Sequence, residues 1–548
     1  MNYYTLIWFI INLSLNIFTM KIIALLTLLF FISINSIASD KTTKTTLKKA
    51  DTYLKKNRPE DAKRVLTVAL QREPENIEFL NKLGRICYSL DDGEREAIQY
   101  LSKAVEYYNK NNIKTKDSFE ATYFLAQALH LNGQYDEALE MLLLSRTEVP
   151  IEEKALTAKI DKEVAQLKVA ITLKRNPKQF NSSNLGKVVN TKFEEHSPVI
   201  ASDESFLIFT STRPIEKGLN KDELVESIWE TRWNGKEWSM PKPLPQTVNG
   251  VGQNASCSLS FDGSTLYFYR NLDGEGDIYT AERNAKGEWL NIKKLPRPIN
   301  SFADETHATI SPEGDMLFFT SNRDGGFGGL DIYVVRKLPN GQWSKAQNLG
   351  PNINSTDDEE SPFFHGDGKT LYFSSRGHEN GGAFDIFKSV LDENDNWSVP
   401  ENIGYPINTP DDDVFYQPTV DEQRVYYVSH KSLGEGGADL YLLEFPETDR
   451  RSMSVVSCVA NPVVGDSIVN ASLTVTDLET QFTYGTYKCN PSNGKFVVII
   501  PTGKNFLFDF EYPGCSNIYK EIKVDKRAEY VAIQRVINLE SLDFTPKK

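Results

Sequence analysis

Residues 371–387, LYFSSRGHENGGAFDIF, decide the fold, because their pattern recurs at a fixed interval. The closing Asp385-Ile-Phe triplet has counterparts at Asp277, Asp331 and Asp439, each 54 residues from the next. Between successive triplets lie an Asp-Gly type turn, two further strand patterns and a Gly-rich loop, which together predict one four-stranded antiparallel unit. Because a small sheet cannot bury its faces alone, repeats of this period are expected to pack radially as a β-propeller.

The repeat count predicts five blades within residues 181–447, with six as the open alternative. The fifth unit lacks the Trp-containing strand and the Asn-Leu-Gly segment that end the others. That segment occurs ahead of the first unit instead, as Asn184-Leu185-Gly186. We therefore expect the N-terminal strand to complete the last blade and close the ring. The repeated tryptophans are expected to pack between blades; they are Trp238, Trp289, Trp343 and Trp397.

The SP…DG…LYFSS-R…GG-DIY pattern resembles the WD40-like repeats of TolB-type propellers. The resemblance covers residues 193–445 and implies the fold. It implies no particular function, since propellers carry many.

Residues 43–175 show helical periodicity in two-helix units of near 34 residues, which is typical of tetratricopeptide (TPR) repeats. Small residues such as Gly84 and Ala126 stand where two helices must cross closely, and prolines such as Pro150 follow second helices. The last stretch, 153–175, suits a capping helix. A stack of this kind predicts a concave surface for a protein partner, with a spacer or dimerisation role as the alternative.

Residues 452–540 alternate apolar and polar positions between Asn, Gly and Pro turns, which predicts a small β-sandwich. The sequence NASLTVTDLET…CNPSNGKFVVIIPTGKNF resembles the carboxypeptidase-regulatory-like domain. That resemblance implies a structural or interaction module and no activity.

The first 38 residues predict export. Lys21 precedes an apolar run at 22–34, and Ala38 stands at a cleavage position, so a secretory signal beginning at Met20 with an upstream extension is expected. An uncleaved membrane anchor is the alternative. The expected location is the periplasm or the periplasmic face of the outer membrane.

Composition and motifs exclude several function classes. A formal charge of −14 argues against a nucleic-acid partner, which requires a basic face. The chain contains no GxSxG, HExxH or Walker-type motif, so no enzyme activity and no cofactor are expected. His196 and His307 occupy similar places beside glutamates, but the equivalent positions hold Ser256, Ser361 and Tyr416, so a metal ring is incomplete.

The five cysteines give a weak signal. Three of them, Cys458, Cys489 and Cys515, lie close enough in sequence to allow one disulfide in an oxidising compartment. Cys87 and Cys257 are expected to be small buried apolar residues.

The candidate partner-binding residues are repeated charges that propeller geometry should bring towards one rim. Carboxylates begin the inner strands and arginines end the second strands. One interpretation is a polar rim that grips a partner; the other is a set of structural Arg–carboxylate pairs tying adjacent blades. The residues are Glu195, Arg213, Glu305, Arg323, Glu360, Arg376 and Asp413.

The order of TPR repeats, TolB-type propeller and regulatory-like sandwich is similar to that of envelope proteins of the type IX secretion and gliding group. Those proteins usually add an OmpA-like domain that binds peptidoglycan, and this sequence has too few residues after the sandwich for one, so peptidoglycan binding is not expected of it alone. The resemblance implies a non-catalytic scaffold that binds envelope proteins. The alternative is a propeller that binds a glycan or other small ligand, with Trp and Tyr as stacking platforms.

Overall fold

The structure is a computed structural model that describes residues 42–90, 92–215, 225–272, 274–284, 286–429, 434–446, 453–461, 471–490, 494–524, 536–538 and 542–543. The signal-sequence prediction lies outside these residues. The chain divides into two compact units, Met1–Leu167 and Lys168–Lys548. Over the described ranges, no helix is both long enough and apolar enough to cross a membrane.

Seven helices follow one another in the N-terminal region. They are α1 (42–54), α2 (Pro59–Arg72), α3 (Ile77–Tyr88), α4 (Glu94–Lys110), α5 (Lys116–Leu131), α6 (Tyr135–Glu148) and α7 (Lys154–Arg175). Residues that favour helix N-termini stand at two of the helix starts. Pro59 is the first residue of α2, and Thr115 and Ser118 form a capping box at α5. A side chain at Gly84 would place its Cβ 2.5 Å from Leu101 Cγ, so α3 and α4 cross too closely for any other residue.

The helices of the first unit form two layers. Odd-numbered helices contact one another through pairs such as Lys82–Asp51 and Arg85–Glu120, and Tyr123 in α5 donates to Glu163 in α7 over 2.7 Å. Even-numbered helices form the other layer, where Lys63 in α2 pairs with Glu96 in α4. The TPR prediction is confirmed.

The following strands form five four-stranded antiparallel sheets, each the equivalent of one predicted blade. Blade 1 holds β2 (Glu195–Ile200), β3 (Phe206–Ser211), β4 (Ser227–Arg232) and β5 (Lys242–Pro243); blade 2 holds β6 (Gln253–Leu259), β7 (Thr265–Leu272), β8 (Glu275–Arg283) and β9 (Trp289–Lys294). Blade 3 holds β10 (Glu305–Ile310), β11 (Met316–Ser321), β12 (Asp331–Arg336) and β13 (Gln347–Asn348); blade 4 holds β14 (Glu359–Phe364), β15 (Thr370–Ser375), β16 (Asp385–Val390) and β17 (Glu401–Asn402). Blade 5 holds β18 (Gln417–Pro418), β19 (Arg424–Ser429), β20 (Asp439–Glu444) and, from the other end of the repeat region, β1 (Asn181–Asn184).

The five sheets close into a ring. A separate buried apolar cluster lies between each neighbouring pair of blades, including blades 5 and 1, where Phe209 meets Tyr426. The tryptophans belong to these interblade clusters, as predicted: Trp397 of blade 4 lies 6.0 Å from Phe318 of blade 3, measured between ring centroids. Among the described residues this repeat forms five blades and no sixth.

The N-terminal strand closes the ring as the sequence predicted. Strand β1 pairs antiparallel with β20, with Asn184 opposite Tyr441. Asn184 donates to Asp439 over 2.9 Å, as Asn348 donates to Asp331 in blade 3 over 2.7 Å. These aspartates also accept from the amides of the Gly-rich loops, for example Asp331 from Phe327, so the repeated Asp caps a tight turn.

A repeated asparagine joins each blade to the next, and we expect its loss to be costly. Asn354 Oδ1 accepts from the amide of Ile332 over 2.8 Å, and its Nδ2 donates to the Ile332 carbonyl over 2.9 Å. The substitution Asn354→Ala leaves that buried amide without its acceptor, so we predict a loss of about 2–3 kcal/mol of unfolding free energy by chemical denaturation. The exposed neighbour Asn352→Ala is the control; it removes only a solvent-exposed bond to the Trp397 carbonyl, so it should change stability by less than about 1 kcal/mol. Equal losses in the two variants would contradict this role.

Two further sheets lie towards the C-terminus. One contains β21 (Met453–Asn461), β24 (Lys495–Pro501), β27 (Val536–Asn538) and β28 (Leu542–Asp543); the other contains β22 (Ser472–Asp477), β23 (Thr483–Lys488), β25 (Lys504–Glu511) and β26 (Ile518–Val524). Alternate side chains of both sheets, such as Val498 and Phe508, form one buried cluster. Assignment of these sheets to a carboxypeptidase-regulatory-like sandwich stays a prediction.

Candidate functional site

The predicted rim charges of blade 3 form a buried clamp. Glu305 has no exposed surface, and its Oε1 accepts from Arg323 Nη2 over 2.9 Å and from Ser321 Oγ over 2.7 Å. Its Oε2 accepts from the amide of Ser301 over 2.8 Å. Arg323 also donates to the carbonyl of Pro298 over 3.0 Å, in the segment that arrives from blade 2. The pair therefore fixes the interblade connection to the start of β10.

Blade 1 repeats this arrangement. Arg213 Nη2 donates to Glu195 Oε1 over 2.9 Å, and the same carboxylate accepts from Thr191 and Ser211. Arg213 also donates to the carbonyl of Val189 in the segment that arrives from β1. With their charges satisfied internally, these four residues fit the structural interpretation of the repeated charges better than the rim interpretation. Partner binding by them stays a prediction.

In blade 4 the structure corrects two of the predicted residues, Glu360 and Arg376. The carboxylate equivalent to Glu305 is Glu359, which pairs with Ser375 in register, and not Glu360. Arg376 does not reach this carboxylate; its side chain is partly exposed and its Nη2 donates to Asp412 over 3.1 Å. His378 contacts the carbonyl of Ile353 over 2.8 Å instead, in the place that the arginine takes in blades 1 and 3. Without a cation beside it, burial raises the pKa of Glu359 to about 7.

The remaining two blades vary the clamp further. In blade 2 the carboxylate is replaced by Asn254, whose Oδ1 accepts from Arg270 over 2.9 Å. In blade 5 the buried Asp413 accepts from the amide of Thr409 over 2.5 Å, and burial raises its pKa well above its ordinary value. In this blade the sequence has His430 and Lys431 after the second strand, where blades 1 and 3 have their arginines, and both residues lie outside the described ranges.

We call the face of the ring at which the inner strands begin the loop face. Near it, three rings from three blades meet over the channel. The ring of Phe415 lies 5.8 Å from that of His196 and 5.3 Å from that of His307, measured between centroids. His196 and His307 are one position apart in blade register, since His196 pairs with Thr210 directly after Glu195, whereas His307 is the second residue after Glu305. Phe415 is likewise the second residue after Asp413, so Phe415, not Tyr416, matches His307.

Two carboxylates lie beside these rings. Glu226 Oε1 is 3.5 Å from His196 Nε2, and that interaction lowers the pKa of Glu226. Glu360 accepts from Thr306 Oγ1 over 3.5 Å. Burial lowers the pKa of His307, while both carboxylates act in the opposite direction on it. We call His196, Glu226, His307, Glu360 and Phe415 the channel mouth.

The channel mouth lacks the ligand set of a metal centre. In the described part of the chain, no group of three or more His, Cys, Asp or Glu side chains is arranged to hold a metal ion. The two carboxylates instead present negative charge beside an aromatic face, an arrangement suited to an organic cation.

The opposite face of the ring contacts the C-terminal sheets. Lys495 Nζ lies 2.6 Å from Asp203 of blade 1, and Asn490 Nδ2 donates to Asp262 of blade 2 over 2.6 Å. Both acids stand in the hairpin turns that end the inner strands. Ile499 of the C-terminal sheets lies against Gly366, which stands in the turn after the inner strand of blade 4. The C-terminal sheets therefore occupy the face opposite the channel mouth.

The cysteines are free thiols. All five are buried, and the disulfide allowed by the sequence among Cys458, Cys489 and Cys515 is not formed. Burial raises the pKa of Cys257 and of Cys458 to about 12, so neither behaves as a reactive thiolate.

The layer of odd-numbered helices in the first unit presents an aromatic and charged surface. The rings of Tyr88 and Phe124 lie 5.4 Å apart, and the Phe124 ring lies 5.6 Å from that of Tyr123. The Arg85 guanidinium stands 5.1 Å from the centre of the Phe124 ring. Half-buried aromatic and arginine side chains of this kind are the residues that protein interfaces favour. We call Arg85, Tyr88 and Phe124 the helical-layer patch.

Comparison with known proteins supports the N-terminal assignment directly. Residues 47–112 and 95–150 match the tetratricopeptide repeat family model. No curated protein matches the chain. Solved structures similar to it include TolB from Acinetobacter baumannii, at 14% identity over 53% of this chain and 70% of that one with a TM-score of 0.30. They also include an α-L-arabinofuranosidase from Lactobacillus brevis, at 13% identity over 47% of this chain and 91% of that one with a TM-score of 0.32.

The sequence reasoning missed two sets of residues. The interblade asparagines Asn300, Asn354 and Asn408 are 54 residues apart, and that interval was the signal that would have found them. Glu226 gave no such signal, because it has no counterpart in the repeat and reaches the channel mouth only through the fold.

Proposed function

We propose that this protein is a non-catalytic scaffold that binds other proteins in the periplasm or at the outer membrane. The carrying observation is the TPR stack, whose odd-numbered helices expose the helical-layer patch. Repeats of this kind bind partners along such a surface. A place in type IX secretion or gliding machinery is the finer form of the proposal, and it is supported by the domain order.

The glycan-binding alternative loses its main support. The repeated tryptophans were its stacking platforms, but Trp238 and Trp289 are buried in the interblade clusters and Trp343 and Trp397 pack against them. Their rings hold blades together, and a sugar has no access to a buried ring face.

Affinity purification from the envelope fraction tests the scaffold proposal. We expect the double variant Tyr88→Ala/Phe124→Ala to recover partner proteins roughly tenfold less efficiently than the native chain, because truncation of aromatic interface residues removes the contacts that dominate binding. Quantitative mass spectrometry of the co-purified proteins provides the measurement. Arg85→Ala, which keeps both aromatic rings packed, should also reduce recovery.

The matched control is Leu143→Ala, on the even-numbered helix α6, where Leu143 is exposed. This variant should recover partners as the native chain does. Circular dichroism melting of all variants separates binding from folding. Unchanged recovery by both Arg85→Ala and the folded double variant would rule out the helical-layer patch as the binding surface.

A further inference from the structure

Among the described residues, the loop face presents many acidic side chains, and three of its arginines turn inward. Arg213, Arg270 and Arg323 turn into the blades and bond to the inner-strand residues or loop carbonyls. Exposed or half-exposed carboxylates remain in the loops around them; they are Glu194, Glu226, Glu275, Asp304, Asp324, Asp357, Asp358, Glu360, Glu379, Asp411, Asp412 and Glu435. The resulting field at this face attracts positively charged groups.

The channel mouth concentrates that charge beside an aromatic ring. Among the described residues, neither Glu226 nor Glu360 forms an ion pair with a lysine or arginine; the only ion-pair contact there joins Glu226 to His196. The Phe415 ring contacts both histidine rings, and an aromatic ring near carboxylates attracts an ammonium or guanidinium group. Its φ of 59° is one that a bulky residue adopts only under constraint, so the fold holds this ring in place.

A buried hydroxyl supplies a second, independent sign of a ligand. Ser361 is 8% exposed, and its Oγ has no hydrogen-bond partner. It is the second residue after Glu359, the same place that His307 and Phe415 take in their blades. Ser361 also shares a positive φ with Phe415, 51° and 59°, so its side chain leaves the strand on the same side as the Phe415 ring. A hydroxyl oxygen in this place can accept a hydrogen bond from an N–H donor.

We propose that the channel mouth receives the ammonium group of a lysine, or the guanidinium of an arginine, from a basic segment of a partner protein. This rests on the proposed scaffold function and names the chemistry of one partner. Glu226 and Glu360 neutralise the cation, Phe415 packs against its aliphatic stem, and Ser361 Oγ accepts a hydrogen bond from one of its N–H groups. The C-terminal sheets cover the other face of the ring, so the segment approaches from the loop face.

The test uses the full chain and a fluorescein-labelled peptide, Ser-Gly-Lys-Lys-Gly-Ser, with a norleucine peptide, Ser-Gly-Nle-Nle-Gly-Ser, as the uncharged match. Fluorescence anisotropy titrations give the Kd. We expect the lysine peptide to bind and the norleucine peptide not to bind. We expect Glu226→Gln/Glu360→Gln to raise the Kd at least about tenfold, since two close charge contacts are lost. Phe415→Leu should weaken binding by roughly threefold or more.

Glu379→Gln is the control, because Glu379 is an exposed carboxylate of the same face outside the channel mouth. It should leave the Kd within about twofold. Equal binding by the native chain and the double glutamine variant, or equal binding of the norleucine peptide, would overturn the proposal. Partner recovery separates the two hypotheses: loss with the helical-layer variants but not with the channel-mouth variants leaves the scaffold standing and removes the lysine site.

Discussion

Ser183→Pro is expected to unfold the propeller at far lower denaturant than the native chain, although the Ser183 side chain is exposed. Strand β1 is held by its backbone ladder to β20. The Leu185 amide donates to the Leu440 carbonyl, and antiparallel ladders alternate, so the Ser183 amide donates to Leu442 as well. Proline removes that donor and places its ring against β20, which costs about 3 kcal/mol or more.

The loss of unfolding free energy should exceed that caused by proline in an ordinary edge strand, because β1 closes the ring. Its loss exposes the outer edge of β20 and loosens the segment that leads to Asn190, whose side chain bonds to both backbone groups of Leu440. We expect loss of cooperativity as well as a lower midpoint, measured by tryptophan fluorescence in urea, since all six tryptophans of the described residues belong to the interblade clusters.

Ser183→Ala is the matched control. It changes the same exposed side chain but keeps the backbone amide that donates to Leu442. We expect a loss of less than about 1 kcal/mol for it. Similar midpoints for the proline and alanine variants would show that the β1 ladder does not hold the ring closed.

The architecture of the propeller could be read from the sequence because its signal is repeated. Four Asp-led triplets at a constant interval fix the third strands of blades 2 to 5, and the other strands are placed relative to them. Even the closing strand was predictable, since Asn184-Leu185-Gly186 stood before the first unit while the last unit lacked its counterpart. Because the pattern occurs several times in the sequence, one unusual residue does not change the fold that it predicts.

The charges of blade 4 were predicted with an error of one residue, for a physical reason. Two glutamates stand side by side, and in a strand adjacent residues point to opposite sides, so choosing Glu360 instead of Glu359 exchanges a buried carboxylate for one in the channel mouth. Counting 54 residues from Glu305 gives Glu359 and then Asp413, which would have resolved the choice. Arg376 is likewise one position early relative to Arg323, when both are counted back from their Asp triplets.

The channel mouth itself could not be predicted from spacing. His196 and His307 were noted, but the position of Phe415 holds serine or histidine in the other blades, and Glu226 has no acidic counterpart in them. A repeat reveals what its members share, whereas a binding site in a ring of blades depends on where they differ. Only the closure of five sheets brings these side chains together.

Substitution of Glu305 and of Glu359 by glutamine should have opposite effects on the stability of the protein. Glu305→Gln leaves Arg323 buried without its carboxylate, and the new amide cannot serve both the Ser301 amide and the arginine, so we expect a loss of about 2–4 kcal/mol. In Glu359→Gln no cation loses its partner. The glutamine oxygen can accept from the Ser355 amide while its amino group donates to the hydroxyls of Ser355 and Ser375.

The effect of Glu359→Gln should depend on pH, with a sign that follows from its raised pKa. Burial raises the pKa of Glu359 from 4.5 to about 7, so the folded protein favours the protonated acid. The stabilisation of the folded protein by the protonated Glu359 side chain is complete below about pH 4.5 and is lost as the pH rises through about 7. Glutamine is neutral at every pH, so the variant should match the native chain at low pH and exceed its stability by about 1–3 kcal/mol at high pH.

Urea denaturation of the native chain, Glu305→Gln and Glu359→Gln at pH 5 and pH 8 measures both effects. The native chain should lose stability relative to Glu359→Gln between pH 5 and pH 8. At pH 8 only the native chain carries a buried carboxylate without a cation beside it. Glu305→Gln should be less stable than the native chain at both pH values, since Arg323 loses its carboxylate partner at either pH. A destabilised Glu359→Gln at pH 8 would mean that this carboxylate finds a cation in the folded protein, and that blade 4 is clamped in the same way as blades 1 and 3.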